Sequence, residues 1–466
     1  MGSVCLLIGC TRKIHPARNV FIKEGKGPVV DLSQYKSPQL RPLQDSSLAI
    51  AVAISGGGAR AYNFAMGVLL GLEQIQTQSS NLLQEIDYIS TVSGGSFAAG
   101  AYLRARYEHN WQDSSLAFSL KTSYDSFIQE ELSRSYLTPI LRSWANPRTW
   151  VSHMDDGDGL EKAIDFKLLG YEARKNTIGE NQARSILLGD IFVDRDSQHL
   201  PVKHPMLVTN STILNNMVIF PFAPNVLDTF LITGYTHNMR EVHLSKTIDP
   251  YSLPLSVGIK ASGSFPIAIS NTTMISKYDH KYRFLHLIDG GVSDNIGFRS
   301  ALDMLEQDHI AGKKILIIID ADGAGQVRSF THKESGALWF KVLVRLPSSG
   351  IDARRVFRRE LIVNLCAQKD VTPVFLSFST LIEDFPFLLP MYELSYRESC
   401  ENLLGKIAAD TTELTVTERR KLYDLANGVK TKYSIKDFEQ SLLTQTGKKV
   451  VSLKQELLLD MLRREP

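Results

Sequence analysis

The chain has 466 residues, with 43% hydrophobic and 22% charged residues, values typical of soluble globular proteins and unlike those of a fibre or a disordered chain. Its formal net charge is only +2, so we expect no nucleic-acid partner attracted by a global basic field. No apolar run reaches the ~18 residues that a membrane-spanning helix requires, so the sequence does not predict an integral membrane protein.

The N-terminal segment, residues 1–47, is predicted to be a tether or arm that precedes the folded core. Residues 11–45 are polar, contain several prolines and show no hydrophobic period. Ahead of them, "LLIGC" ends at Cys10 and is similar to the lipobox of a bacterial lipoprotein, although it is short and has no Lys or Arg before it. Either the match is accidental, or a longer signal peptide precedes Met1 in the natural protein. Cys10 is therefore a candidate lipidation site, and a cell-envelope or membrane-associated location is favoured over a cytoplasmic one.

A catalytic core is predicted for residues 48–325, with a helical insertion at about 108–190. In its first part, strand-like runs alternate with helical patterns in the order "AIAVAI", a helix from Ala61 to about Gln74, "IDYISTV", and a helix from Phe97 to about Tyr107. The later strand-like runs are "HPMLVTNST", "NMVIFPF", "REVHLS", "FLHLID" and "KKILIIID". This alternation predicts the α/β class, with βαβ units and a parallel sheet covered by helices. The remaining residues, 326–466, have a helical pattern and are predicted to be a C-terminal helical extension.

The stretch "SGGGARA" (Ser55–Ala61) places three consecutive glycines between the first predicted strand and the first predicted helix. A P-loop would require a lysine that is absent here. A dinucleotide-binding turn would require an acidic residue at the end of the next strand, where "TVS" (Thr91–Ser93) stands instead. The favoured interpretation is an oxyanion hole, in which the N–H groups of Gly56, Gly57 and Gly58 point at a developing negative charge, aided by the N-terminus of the helix.

An oxyanion hole needs a nucleophile, and "STVSGGS" supplies a candidate at the end of the second predicted strand. Ser93 follows the strand and precedes Gly94, Gly95 and a helix, which is the context of a nucleophile elbow. The usual G-x-S-x-G pattern is incomplete because Thr91 stands at the first glycine position. Ser96 is the alternative nucleophile, but it is predicted to lie inside the helix, so Ser93 is favoured.

A serine hydroxyl needs a base that accepts its proton, and "LIDGGVSDNIG" offers a carboxylate at the end of a strand. Asp289 is followed by Gly290 and another glycine, which allow a sharp turn while the carboxylate stays at the edge of the sheet. The alternatives are that Asp289 only forms the turn, or that Asp320 or Asp322 is the base. None of the eleven histidines stands in a recognisable catalytic context, and His286 is predicted to be packed within its strand.

In this order, "SGGGARA", "VSGGS" and "DGG" resemble the oxyanion loop, nucleophile and catalytic aspartate of the patatin-like phospholipases, in particular the bacterial ones. The resemblance runs from about Leu48 to Phe298 and includes "ASGSFPIA", which is similar to the segment before the family's aspartate strand. Thr91 and Ala61 depart from the glycines that are usual at those positions. With these changes, the motifs look closer to the cytosolic phospholipase A2 branch.

The resemblance implies a three-layer α/β/α fold with a mostly parallel central sheet and a Ser93–Asp289 dyad without histidine. It also implies hydrolysis of phospholipids or other acyl-ester lipids, of phospholipase A or lysophospholipase type, without a metal or an organic cofactor. Arg60, Gly94 and Gly290 are predicted to bind substrate or to support the loops, with a surface salt bridge as the alternative for Arg60. The alternative functions are an acyltransferase that uses the same dyad and a membrane-associated scaffold without activity.

A membrane surface is a further predicted partner, on the basis of "LLIGC" and of a basic cluster in "DARRVFRREL". Within a helix, Arg354 and Arg358 share one face, and Arg355 and Arg359 share another. Basic residues close to an anionic bilayer contribute ~1 kcal/mol each to binding. The alternative is an ordinary solvated helix face on which these arginines pair with carboxylates.

Overall fold

The structure is a computed structural model, and it describes residues 47–78, 80–112, 118–145, 156–179, 183–192, 205–235, 249–266, 269–278, 281–308, 312–321, 355–384, 403–407 and 413–463. Cys10 and most of the predicted arm lie outside these residues, as do the "REVHLS" run, Asp322 and Arg354. The chain divides into two compact units. The Ser93 unit comprises the described residues of 42–134, 202–207 and 294–466, and the Asp289 unit comprises those of 135–201 and 208–293.

The described residues form nine strands, six of which coincide with predicted runs. The strands are β1 (Leu48–Ile54), β2 (Tyr88–Val92), β3 (Met206–Ile213), β4 (Val218–Phe222), β5 (Ile232–Tyr235), β6 (Thr272–Tyr278), β7 (Lys281–Asp289), β8 (Lys313–Asp320) and β9 (Val371–Ser377). Strands β5, β6 and β9 were not predicted. The α/β class is confirmed.

Helices separate or follow most of these strands. They are α1 (Gly58–Gln74), α2 (Gly94–Gln112), α3 (Leu120–Ser123), α4 (Gln129–Ser133), α5 (Leu137–Ala145), α6 (Asp156–Ala163), α7 (Tyr171–Ile178), α8 (Leu188–Phe192), α9 (Pro224–Thr229), α10 (Leu255–Ser262), α11 (Gly291–Asp294), α12 (Phe298–Gln307), α13 (Arg355–Gln368), α14 (Val416–Gly428), α15 (Asp437–Leu453) and α16 (Gln455–Leu462). Short π-helical turns cover Tyr124–Ile128 and Ile164–Leu168, and 3₁₀ turns cover Pro250–Ser252 and Phe378–Leu381. The described residues of the predicted insertion, about 108–190, thus contain several helices.

In the Ser93 unit the strands pair in the order β2-β1-β8-β9, and all of these pairs are parallel. Every residue of β1 after Leu48 is buried, as is all of β2, which explains why both read as continuous apolar runs. Strand β9 corrects the prediction that residues 326–466 are helical throughout. It stands last in the strand order and contains Pro373, which an edge strand tolerates because one of its sides needs no ladder hydrogen bond.

Helix α15 packs against α1, the helix that follows the glycine loop. A methyl group placed on Gly67 of α1 would lie 2.1 Å from the Thr444 carbonyl oxygen, and one on Gly447 would lie 2.5 Å from the Phe64 carbonyl oxygen. The two helices therefore approach each other backbone to backbone. The predicted C-terminal extension contributes this support to the same compact unit as β1 and α1.

In the Asp289 unit the strands pair in the order β5-β6-β7-β3, with β4 on β3, and these pairs are antiparallel. Helix α10 contacts β7, the strand that ends at Asp289. In the register between β3 and β7, Ser211 lies opposite Asp289. The candidate base, Asp289, therefore lies at the end of a strand that is paired in a buried antiparallel ladder.

Candidate active site

Ser93 lies in the turn between β2 and α2, and its backbone φ is +48°. A positive φ is unfavourable for a residue with a side chain, and such strain is concentrated in functional turns. The Ser93 side chain is partly exposed. Ser96 is 0% exposed inside α2, and its hydroxyl lies 2.9 Å from Thr91 Oγ1. The turn therefore presents Ser93 and keeps Ser96 paired with the residue that departs from the usual glycine.

The turn at Ser93 is closely covered by the chain around the glycine loop. A methyl group on Gly94 would lie 2.3 Å from the Gly58 carbonyl oxygen, and one on Gly95 would lie 2.7 Å from the Ile54 carbonyl oxygen. Real Cβ atoms do not approach other atoms so closely, so both positions require glycine. Gly94 therefore lies against the glycine loop.

The three glycines of the loop differ in what their N–H groups do. The Gly56 N–H donates to the Asn295 carbonyl oxygen at 2.8 Å. This differs from the prediction that all three groups serve as oxyanion donors, because a group that is already hydrogen-bonded cannot also hold the oxyanion. Gly57 and Gly58 have φ values of +140° and +59°, and among the described residues their N–H groups have no acceptor. The candidate oxyanion donors are therefore Gly57 and Gly58.

The segment between α14 and α15 holds the start of α1. The Ala59 N–H donates to the Lys432 carbonyl oxygen at 2.7 Å, and Arg60 Nη1 donates to the Val429 carbonyl oxygen at 3.3 Å. A methyl group on Gly58 would lie 2.5 Å from the same Lys432 oxygen. Arg60 is only 8% exposed. Its position fits loop support, and it does not fit a salt bridge on a solvated helix surface.

Asn295 lies beside the nucleophile, and the sequence analysis did not select it. A methyl group on Gly56 would lie 2.5 Å from Asn295 Oδ1 and 3.2 Å from Ser93 Cβ. The preceding residue, Asp294, accepts hydrogen bonds from the N–H groups of Ile296 at 3.0 Å and Arg299 at 3.2 Å. Burial raises the pKa of the Asp294 carboxyl, while these N–H groups oppose that rise. The only signal in the sequence was the nearness of Asn295 to the aspartate motif.

Asp289 ends β7 and is 4% exposed. Its Oδ1 accepts a hydrogen bond from the Gly291 N–H at 2.8 Å, so the carboxylate helps to form the turn that follows. A carboxylate has two oxygens and several lone pairs, so this role in the turn is compatible with a role as a base.

Hydroxyl groups and backbone atoms of neighbouring segments hold the Asp289 turn. Thr212 Oγ1 donates to the Asp289 carbonyl oxygen at 3.0 Å. The Asp289 N–H donates to the Ser264 carbonyl oxygen at 2.9 Å, and the Gly290 N–H donates to the Ser262 carbonyl oxygen at 3.2 Å. Ser262 and Ser264 belong to the "ASGSFPIA" segment, which therefore supports the aspartate turn. Gly290 is part of this hydrogen-bonded turn.

The family model described as patatin-like phospholipase matches residues 52–302, which is more than half of the chain. The chain belongs to the patatin-like phospholipase family. The predicted three-layer α/β/α fold with a mostly parallel sheet is thereby confirmed, and the antiparallel pairs within the compact units are those of the Asp289 unit. Family membership supports a lipid acyl hydrolase activity.

Two solved structures illustrate the similarity. Human GIVD cytosolic phospholipase A2 is 14% identical, with a TM-score of 0.41, and the match covers 90% of this chain and 61% of that chain. The heterodimeric ExoU–SpcU complex of the Pseudomonas aeruginosa type III secretion system is 14% identical, with a TM-score of 0.25 and coverages of 96% and 82%. This chain thus spans less than two thirds of the human protein. No match is found among curated proteins.

Two other candidates for a base have distinct surroundings in this member of the patatin-like family. His286 is 9% exposed, and its Nδ1 lies 3.0 Å from Thr273 Oγ1 and 3.0 Å from Asn271 Nδ2. Burial lowers the pKa of His286, as expected for a histidine packed within its strand. Asp320 ends β8 and is partly buried. It remains the alternative base.

Part of the predicted basic cluster has internal partners. Arg359 Nη2 lies 3.1 Å from Glu383 Oε1, and its guanidinium lies 4.7 Å from the centre of the Phe375 ring. Arg358 lies close enough to Asp294 that its charge favours the ionised carboxylate and opposes the rise in pKa that burial causes. These contacts match the alternative of pairing with carboxylates, and a membrane surface remains a prediction.

Two features are absent from the described residues, a helix that could span a membrane and a cluster of metal ligands. No helix within them has both the length and the apolar composition needed to cross a bilayer. Within the same residues, no group of three or more His, Cys, Asp or Glu side chains is placed to hold a metal ion.

Proposed function

We propose that this chain hydrolyses carboxylic ester bonds of lipids through a Ser93–Asp289 dyad. Membership of the patatin-like phospholipase family supports the reaction class. The observation that carries the assignment of the nucleophile is the positive φ of Ser93, in a strand-turn-helix elbow beside the glycine loop. The substrate class is a phospholipid or another acyl-ester lipid, presented at a membrane surface.

In the proposed reaction, Ser93 Oγ attacks the ester carbonyl carbon while Asp289 accepts the hydroxyl proton. The carbonyl oxygen becomes an oxyanion that the N–H groups of Gly57 and Gly58 stabilise. The C–O bond to the alcohol then breaks, and the alcohol leaves with the proton from Asp289. Water attacks the acyl group on Ser93, Asp289 takes the proton of that water, and the fatty acid is released as Ser93 regains its proton.

The start of α1 suits this chemistry electrostatically. Helix α1 has 17 residues and carries no acidic residue in its first turn. The N-terminus of a helix has a partial positive charge, and Arg60 adds a full one in the same turn. An oxyanion beside Gly57 and Gly58 is therefore stabilised by the backbone dipoles as well as by its hydrogen bonds.

Two alternative functions remain. An acyltransferase would form the same acyl-enzyme and pass the acyl group to an alcohol in place of water. A scaffold without activity would need neither the strained turn at Ser93 nor the open N–H groups of Gly57 and Gly58. The backbone strain therefore favours an enzyme over a scaffold.

The test is labelling of the purified protein with a fluorophosphonate probe, followed by incubation with mixed lipids. Ser93→Ala should abolish labelling and lower kcat by a factor on the order of 10⁶. Ser96→Ala is the matched control, and it should keep both while losing some stability because Thr91 loses its buried partner. Labelling that survives in Ser93→Ala and is lost in Ser96→Ala would refute the assignment. The lipid products separate the hydrolase, which releases fatty acid, from the acyltransferase, which forms new esters.

A further inference from the structure

The segment between α14 and α15, residues 429–436, is a lysine loop that packs against the glycine loop. It reads "VKTKYSIK" and contains three lysines and no acidic residue. The Lys432 carbonyl oxygen accepts the Ala59 N–H at 2.7 Å. A methyl group on Gly58 would lie 2.5 Å from that oxygen and 3.4 Å from the Lys432 backbone nitrogen. The Lys432 side chain therefore starts beside a candidate oxyanion donor.

Two lysines of this loop, Lys430 and Lys432, carry charges that no neighbouring carboxylate neutralises in the part of the chain that the structure describes. Both residues are exposed, and neither has an ion pair or a side-chain hydrogen bond with a described residue. The stem of an exposed lysine is flexible, so its ammonium group can reach a ligand several ångströms from the main chain. Two ammonium groups are thus available to an anion that lies near the glycine loop.

The start of α1, on which the lysine loop packs, is positive as well. Helix α1 carries no acidic residue in its first turn, and its N-terminus has a partial positive charge. Arg60 lies in the same turn and donates to the Val429 carbonyl oxygen, at the beginning of the lysine loop. Charges of one sign that are grouped in this way raise the local concentration of a ligand of the opposite sign. This corner of the Ser93 unit therefore favours an anionic ligand over a neutral one.

An anionic phospholipid carries its negative charge a few bonds from an ester. Its phosphate is attached to a glycerol carbon next to one that bears an acyl ester, so a substrate whose ester carbonyl lies at Gly57 and Gly58 brings its phosphate close to the same loop. The three N–H donors of a lysine suit phosphate oxygens. A zwitterionic lipid such as phosphatidylcholine also brings a quaternary ammonium group, which the lysines repel. The lysine loop can therefore distinguish the two kinds of head group.

We propose that Lys430 and Lys432 form a head-group site that selects anionic over zwitterionic phospholipids for attack by Ser93. The inference rests on the proposed function and deepens it by naming the preferred head group. A lysine close to an anionic lipid strengthens binding about fivefold. Two lysines should therefore contribute a preference of roughly 25-fold.

The test uses dihexanoyl phosphatidylglycerol and dihexanoyl phosphatidylcholine, dissolved as monomers so that no membrane surface contributes. The measured quantity is the ratio of kcat/KM for these two lipids, which have the same acyl chains. Lys432→Gln should lower the ratio about fivefold, and the double variant with Lys430→Gln should lower it roughly 25-fold. Lys432→Arg keeps the charge and should keep most of the ratio. Added salt should lower the ratio of the wild type more than that of the double variant, because salt screens exposed charges.

The matched control is Lys313→Gln. Lys313 is another exposed lysine of the Ser93 unit, and it lies opposite Leu48, where β1 begins. The glycine loop follows the other end of β1, about 20 Å away along the strand. This distance exceeds the Debye length at physiological salt, so the variant should keep the wild-type ratio. All the substituted side chains are exposed, so every variant should have a Tm close to that of the wild type.

Three results would overturn the proposal for the lysine loop. The first is an unchanged ratio in Lys432→Gln and in the double variant, and the second is an equal drop in Lys313→Gln. The third is an effect of the lysines that is absent with monomeric lipids and present only with vesicles that contain phosphatidylglycerol. That result would show a membrane-docking surface in place of a head-group site.

A binding measurement separates this proposal from the proposed function. In the Ser93→Ala protein, calorimetric titration with the same two monomeric lipids gives their Kd values without turnover. Addition of Lys432→Gln should raise the Kd of the phosphatidylglycerol about fivefold and that of the phosphatidylcholine less. A wild-type protein that neither reacts with the fluorophosphonate probe nor cleaves either lipid would refute the proposed function. The Kd values would still show whether the lysines bind the anionic head group, and equal values with and without Lys432→Gln would refute that.

Discussion

The turn at Ser93 and the turn at Asp289 both follow a strand, yet the chain holds them by different means. Around Ser93, main chain packs on main chain, and Gly58 and Gly94 lie so close to neighbouring carbonyl oxygens that no side chain fits. Around Asp289, the turn is held largely by hydrogen bonds from the Thr212 hydroxyl and to the aspartate carboxylate itself. Close contacts between main-chain atoms thus position Ser93, whereas hydrogen bonds position Asp289.

This difference determines which substitutions each region tolerates. A side chain of the same shape can keep the Asp289 turn and still remove its chemistry. In the glycine loop, even a single added methyl group must move the backbone.

Asp289→Asn should remove the base and leave the turn intact. The asparagine oxygen can still accept the Gly291 N–H, so Tm should stay close to that of the wild type. Without a proton acceptor, kcat should fall by a factor on the order of 10⁴. Steady-state hydrolysis of a lipid ester and thermal unfolding measure the two effects. Asp320→Asn is the control and should keep its turnover, whereas a collapse in that variant alone would make Asp320 the base.

Gly58→Ala should affect stability and turnover together, by less than the loss of the base. Gly58 has a φ of +59°, and the new Cβ would lie 2.5 Å from the Lys432 carbonyl oxygen. The left-handed conformation alone costs ~1–2 kcal/mol for alanine, and the contact must displace the Lys432 segment or the loop. Both Tm and kcat should therefore fall.

The control for Gly58→Ala is Gly405→Ala in the same unit. A Cβ at Gly405 meets no atom within 4 Å, and its φ is not positive. Its Tm should be unchanged or slightly raised, because alanine restricts the unfolded chain more than glycine does. If the two variants had the same Tm and kcat, the contact between Lys432 and the glycine loop would contribute nothing to stability.

Contiguous patterns made much of this site predictable from the sequence. The apolar runs of β1 and β2 located the strand ends, and the small residues after them predicted the turns that contain Gly57 and Ser93. Both turns are encoded locally, because the strand, the turn residues and the next helix follow one another along the chain. The same holds for Asp289 after β7.

The unpredicted parts of the site depend on contacts between distant segments. Asn295 reaches Gly56, and Lys432 reaches Ala59, through packing that no local period encodes. The Gly56 N–H was assigned to the oxyanion for the same reason, since its acceptor lies far away in the sequence. Strand β9 was missed because Pro373 interrupts its pattern and residues on both sides of it read as helical.

The smallest expected effect concerns His286, which lies in β7 together with Asp289. Burial lowers its pKa in the folded state below the ordinary value of 6.5. Below about pH 6.5 the unfolded chain therefore binds a proton that the folded chain does not. The free energy of unfolding must then decrease as the pH is lowered. The fall ends at the lower pKa of the folded state, and it amounts to ~1.4 kcal/mol for each unit by which the pKa is lowered.

Chemical denaturation of the wild type and of His286→Gln across this pH range isolates the contribution of His286. Glutamine is polar and does not titrate, so the stability of the variant should depend less on pH, while the other titrating groups contribute equally to both proteins. Hydrogen exchange should show that acid loosens β6 and β7 of the wild type before it loosens β1 and β2, because the buried histidine and its partner Thr273 lie on β7 and β6. If the free energy of unfolding depended equally on pH in the two proteins, protonation of His286 would not destabilise the folded protein. The aspartate turn would then be no more sensitive to acid than the turn at Ser93, whose closest contacts are between main-chain atoms that do not titrate.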